Sequence, residues 1–204
     1  MIVATLVSVS LAWLQAPLAE DYFPLKPGTK WEYREDNKFS QKTYVDTVLE
    51  PIDVGSQKAF PIQTTENGQL LEKVYYRAEG DTVWIVAYDE KKPLPSPRPL
   101  FKVGTGKTNW EYRGTTPFYE DLVPLEVKGT AEAKGRRPAI GKSVECIEVK
   151  FEAQLMAAPG MVLKSNQTAY YGKGVGLLEM QEKTTVDRKS EERKLKLVSF
   201  TPAP

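Results

Sequence analysis

Apolar and polar side chains alternate with a period of two along most of this chain, the spacing that gives an extended segment one buried and one solvated face. The alternation is plainest in Trp31-Glu32-Tyr33-Arg34 and in Trp110-Glu111-Tyr112-Arg113, where the aromatic residues fall on one face and the charges on the other. Each copy follows a Pro- and Gly-bearing turn, Pro24-Leu25-Lys26-Pro27-Gly28 in the first and Pro99 through Gly106 in the second, so one turn-and-strand device occurs twice. The pattern predicts strands near 30–36, 43–50, 58–64, 70–78 and 81–88, then near 107–114, 120–130, 143–153, 162–172, 176–186 and 193–200. Helical periodicity is hard to find, and the expected fold class is all-β and antiparallel. The repeat further predicts that Trp31 and Trp110 occupy equivalent places on one face of the sheet.

Turn signals separate these segments, among them Asp53-Val54-Gly55, Glu66-Asn67-Gly68 and Ala157-Ala158-Pro159-Gly160. Val74-Tyr75-Tyr76-Arg77-Ala78 and Thr82-Val83-Trp84-Ile85-Val86-Ala87-Tyr88, joined by Glu79-Gly80-Asp81, form the clearest hairpin. Asp187-Arg188-Lys189-Ser190-Glu191-Glu192 reads as a solvated hairpin tip. In Pro93-Leu94-Pro95-Ser96-Pro97-Arg98-Pro99 four prolines remove four donors, which excludes a central strand and predicts a semi-rigid connector between two halves.

The apolar run Ile2 to Leu14, followed by small residues before Glu20 and Asp21, resembles a secretory h-region with cleavage near Ala16 or Ala19, although no basic residue precedes it. It is shorter than the roughly 20 residues of a membrane span. The organisation expected is a signal peptide over 1–19 and one β-rich domain over 20–204, periplasmic or secreted, with no transmembrane segment in the mature chain. The alternative for the run is a buried first strand or helix.

Composition narrows the chemistry. The chain has 204 residues, 28 basic and 27 acidic side chains, one cysteine and no histidine. Near-neutral charge removes the main electrostatic support for nucleic-acid binding. The absence of histidine removes the commonest general base and metal ligand, and with them His-dependent triads and zinc sites. Cys146, between Glu145 and Ile147, reads as a small buried hydrophobe.

Several motifs fail on inspection. Gly104-Thr105-Gly106-Lys107-Thr108 resembles the end of a phosphate-binding loop, but the required first glycine is Phe101 and a strand pattern follows in place of a helix. Gly172-Lys173-Gly174-Val175-Gly176 lacks dinucleotide-binding spacing and reads as a turn with close backbone packing. Asn166-Gln167-Thr168 matches a glycosylation acceptor but falls in an expected strand. Lys134-Gly135-Arg136-Arg137 reads as an exposed loop, with anion or headgroup contact as the alternative. Glu32, Glu111, Glu120 and Asp121 could supply a hydrolytic carboxylate pair only if the fold brought two together, and Glu32 and Glu111 are expected to face outward.

Four stretches, Tyr22 to Tyr33, the second Trp-Glu-Tyr, Ala139 to Val149 and Tyr170 to Glu179, resemble a bacterial family of secreted or envelope β-proteins, a TapB-like domain of unknown function. The resemblance implies an antiparallel, strongly curved sheet or half-barrel, similar in outline to the half-barrels of periplasmic lipoprotein carriers. It supplies no catalytic residue. The basic n-region and lipobox cysteine are missing here.

These readings converge on an extracytoplasmic, non-enzymatic binding or scaffold protein. Trp31, Tyr33, Trp84, Trp110 and Tyr112 are the candidates for an aromatic concave face holding a lipid or small apolar ligand; the alternative is that they form the core. No catalytic residue, metal site or cofactor is expected. The rival classes are an envelope assembly protein acting through strand edges, with a protein partner and no pocket, and a carboxylate-based hydrolase. A cavity of several hundred Å3 lined by those aromatics would favour ligand binding, and a filled interior would favour assembly.

Overall fold

The two Trp-Glu-Tyr phrases become strands β1 (Lys30–Asn37) and β8 (Thr108–Phe118), each burying its Trp and Tyr and exposing the Glu between them. The computed structural model describes residues 17–204 apart from Phe39, Tyr119, Glu120, Pro159 and Arg188. The proposed signal segment therefore lies outside the described residues as far as residue 16. Between the phrases run β2 (Gln41–Val48), β3 (Ile52–Val54), β4 (Gln57–Glu66), β5 (Gln69–Glu79), β6 (Thr82–Asp89) and β7 (Lys92–Lys102). After the second come β9 (Asp121–Ala139), β10 (Lys142–Ala158), β11 (Met161–Gly172), β12 (Gly176–Val186) and β13 (Lys189–Thr201). Among the described residues a 3-10 turn, Ala19–Asp21, precedes them. Asn67 and Gly68, both in the left-handed region, make the tight β4–β5 turn.

All the ladders are antiparallel and run in the order β7-β6-β5-β4-β2-β1-β13-β12-β11-β10-β9-β8, with β3 folded back on β4. The first and last strands pair, while β7 and β8, consecutive in the chain, end the path. The result is one sheet nearly closed into a barrel with a single seam, closed further than a half-barrel. β1 and β8 stand six strands apart on the twelve-strand path, and Trp31 and Trp110 both point into the main core. The predicted common face of the two tryptophans holds, but the placements differ, because β1 is paired on both sides and β8 ends the path, and Tyr33 and Tyr112 join different clusters.

Residues 93–99 correct one expectation: they lie within β7 and do not form a connector. Prolines at alternate positions deplete one edge of a strand of donors, which is tolerated only where that edge has no ladder to complete. β7 ends the path and meets β6 through three register shifts. Across the seam, the Tyr112 hydroxyl lies 3.2 Å from the carbonyl oxygens of both Ser96 in β7 and Thr115 in its own strand.

The Lys134–Arg137 cluster is likewise in a strand, β9. Its charges are partnered: Lys134 pairs with Glu132 at 2.6 Å, and Arg137 pairs with Glu179 at 3.5 Å and lies over the Tyr170 ring. Residues 103–107 lead directly into β8, so no helix follows the phosphate-loop look-alike. Cys146 is buried, which pushes its thiol up to about 11 and leaves it unreactive.

The core lies on the inner face. Residues 17–29 close one end, with the Ala19 amide donating to Gly80 O and the Gly174 amide to Asp21 O. Phe23 enters the interior, its ring centroid 5.1 Å from Tyr76 and 6.2 Å from Phe101 and Tyr171. Both tryptophans rest on glycine. Trp110 faces Gly129 across the β8–β9 ladder, where a Cβ would stand 2.1 Å from the indole; Trp31 lies against Gly176, and its Nε1 donates to Val175 O. A smaller cluster of Val54, Ala59, Tyr75, Val86 and Ala87, with Ile52 beside it, sits on the outer face beneath β3.

Candidate functional site

Where packing leaves space inside the barrel, a cavity of about 140 Å3 is lined by Trp31 and Tyr33 from β1, Tyr76 from β5, Tyr171 from β11 and Phe23 from the N-terminal segment. Ile62, Val74, Leu100 and Leu177 complete the apolar wall, and Asp46, Thr64 and Glu72 supply its polar groups. The strand period explains the set. Asp46 stands opposite Trp31 in the β1–β2 ladder and opposite Thr64 in the β2–β4 ladder, in inward phase with Val48.

The Thr64 hydroxyl donates to Asp46 Oδ1 at 2.7 Å. Burial raises Asp46 to about 6, Glu72 adds to the rise, and the Thr64 hydrogen bond opposes it. Burial also holds the Tyr33 and Tyr76 phenols well above their ordinary range and raises Tyr171, so all three are neutral at physiological pH. Tyr33 Oη donates to Leu177 O at 3.3 Å. This site can therefore hold a small body between aromatic rings and accept hydrogen bonds or positive charge at Asp46.

Because Asp46 titrates about 6 when folded against 3.8 ordinarily, the folded state binds this proton more tightly than the unfolded one. Its stabilising contribution is full below about pH 4 and is lost as pH rises through about 6. The stability of the unaltered protein, measured by urea unfolding, is expected to fall over that window relative to Asp46→Asn. Parallel profiles would show that Asp46 is not desolvated.

Of the five aromatics singled out in the sequence, Trp31 and Tyr33 line the cavity. Trp110 belongs to the same main core but lies outside the lining, and Tyr112 packs with Val123, Leu125, Val127 and Leu155 beside the seam. Trp84 does not join them: Val83 and Ile85 point inward, so Trp84 packs against the outer cluster under β3. Glu32, Glu111 and Asp121 are exposed, and Glu120 lies outside the described residues. Phe23, Asp46, Thr64, Glu72, Tyr76 and Tyr171 were not singled out from the sequence. The available signal was Tyr44-Val45-Asp46-Thr47-Val48, which places an acid in the apolar phase of a strand. Among the described residues no group of three or more His, Cys, Asp or Glu side chains could hold a metal ion.

No family model and no curated protein matches the chain. The TapB-like resemblance thus rests on its four phrases alone. Among solved structures, the chain is similar to a candidate lipoprotein from Parabacteroides distasonis, with a TM-score of 0.47 and 12% identity over 88% of this chain and 98% of that one. It is similar to a candidate exported protein with a YmcC-like fold from Bacteroides fragilis, with a TM-score of 0.47 and 10% identity over 89% and 99% of the two chains. A third is the hypothetical lipoprotein YmcC from Escherichia coli, with a TM-score of 0.38 and 13% identity over 88% and 86%. Likeness at this level transfers no residue role and no activity.

Proposed function

We propose that this chain is an extracytoplasmic, non-enzymatic barrel that holds a small, apolar-bodied ligand in its aromatic cavity. The observation that carries the reading is the cavity itself: five aromatic side chains line about 140 Å3, with Asp46, Thr64 and Glu72 as its polar groups. Ligand sites combine this kind of apolar wall with a few placed polar groups, and a volume of about 150 Å3 is enough for a benzene-sized body. At about 140 Å3 the cavity is smaller than the several hundred Å3 set above for ligand binding and than the roughly 300 to 1,000 Å3 of drug-sized ligands, so a long acyl chain is a poor fit and the lipid of the sequence expectation gives way to a smaller molecule. The location is supported by the apolar run before Glu20 and by the TapB-like phrases. Cleavage near Ala16 would keep Ala19, which is fully buried in the core, whereas cleavage after it would remove a packed residue.

Envelope assembly is the second reading, favoured by the edge of β8, which ends the ladder path, whereas the prolines of β7 leave its edge with few donors for strand addition. Native mass spectrometry of the mature protein purified from its own host separates the two. A bound small molecule that leaves on unfolding is the expected result; protein carrying only its own mass would overturn the ligand reading and favour assembly.

A further inference from the structure

The acids inside this barrel are treated in two ways. Toward the Asn37 end of β1, Arg193 serves both Glu35, at 3.5 Å, and Glu182, at 2.6 Å, so a guanidinium balances two largely buried carboxylates. Deeper in, Asp46 receives a hydrogen bond from Thr64, and no Lys or Arg stands among the cavity-lining residues. The charged residues of the lining, Asp46 and Glu72, are both acidic. A partly desolvated carboxylate without a cation is unfavourable, and a hydrogen bond from one hydroxyl offsets only part of that cost. The aromatic walls favour the same charge, because ring faces carry the negative end of the quadrupole and attract cations within about 6 Å.

From this geometry we infer that the cavity selects a small organic cation, an ammonium group on a compact apolar or aryl body, with the nitrogen directed at Asp46 and the body among Trp31, Tyr33 and Tyr76. The inference rests on the ligand-binding reading above and adds the charge of the ligand to it. An anionic ligand would meet two acids and no base. A neutral ligand of the same shape would leave Asp46 without a counter-charge.

Three probes of similar size and different charge test it: benzylamine, benzyl alcohol and benzoate, titrated calorimetrically into the mature protein at neutral pH. Benzylamine is expected to bind at least about tenfold more tightly than benzyl alcohol, and benzoate not to bind. Asp46→Asn, close to isosteric, is expected to abolish the preference for the amine while keeping benzyl alcohol binding. Glu72→Gln, at an exposed position, should weaken the preference without threatening the fold. Benzyl alcohol binding as tightly as the amine, or an amine preference that survives both substitutions, would overturn the cation assignment and leave the cavity reading standing. Failure of all three probes to bind would remove the cavity reading and this inference with it.

Discussion

Phe101→Ala is expected to lower the stability of the barrel by about 3–5 kcal/mol, the range for truncating a fully buried aromatic residue. Phe101 is 0% exposed, and its ring centroid lies 4.6 Å from Tyr171 and 6.2 Å from Phe23. It is the point at which β7, the N-terminal segment and β11 meet. β7 needs such an anchor because its ladder to β6 is interrupted three times and its other edge has no ladder. Urea unfolding should show a lower midpoint at unchanged slope, and amide exchange in β7 should accelerate more than in β10. A loss below about 1 kcal/mol would show that its ladder hydrogen bonds, and not this side chain, hold β7 in place.

The second large effect is steric. Gly129→Ala would place a Cβ 2.1 Å from Trp110 Cε2, a distance no packed pair sustains, so the indole must leave its site. Trp110 is 8% exposed and belongs to the main core, and the displacement is expected to cost about 1–3 kcal/mol. A double-mutant cycle isolates the cause. In a Trp110→Ala background the clash is gone, and Gly129→Ala should become neutral or stabilising because Ala suits a strand interior better than Gly. Additive losses would mean that Gly129 is needed for its backbone conformation and not for the space above it.

These two positions also show what the sequence could reveal. Alternation of Trp, Glu and Tyr is a local property, and it located β1 and β8 and assigned their faces correctly. Asn67-Gly68 likewise marked a turn whose left-handed geometry is intrinsic to those residues. β7 was missed because proline forbids a central strand and allows an edge strand, and whether a strand is an edge depends on the whole topology. The reach of β9 and β10 beyond residues 130 and 153 was missed for a related reason. Their turn places Ile140 at a φ of 47°, a conformation disfavoured for a β-branched residue, and a bulge at Gly135 carries the strand through a basic stretch that reads as loop.

The candidate site was half legible for the same reason. Trp31 and Tyr33 belong to a strong pattern, whereas Asp46 appears in sequence as one more acid in a polar strand. Its meaning comes from Trp31 and Thr64 as ladder neighbours, and from the closure that brings Tyr171 across the barrel. Trp84 shows the converse. Its strand was read correctly, but a short β3 covering the outer face gives that tryptophan a second place to be buried.

The pairing of β1 with β13 sets an order of events. Every other ladder joins strands that are neighbours, or nearly so, along the chain, and such hairpins form within microseconds. β1 ends at Asn37 and its partner begins at Lys189, so the closing contact must wait for almost the whole polypeptide. A chain emerging from its N-terminus therefore carries Trp31 and Tyr33 on an open edge until the last strand arrives. A contact of such long sequence separation is expected to close slowly, and until it does one edge of β1, with its two buried aromatics, stays uncovered.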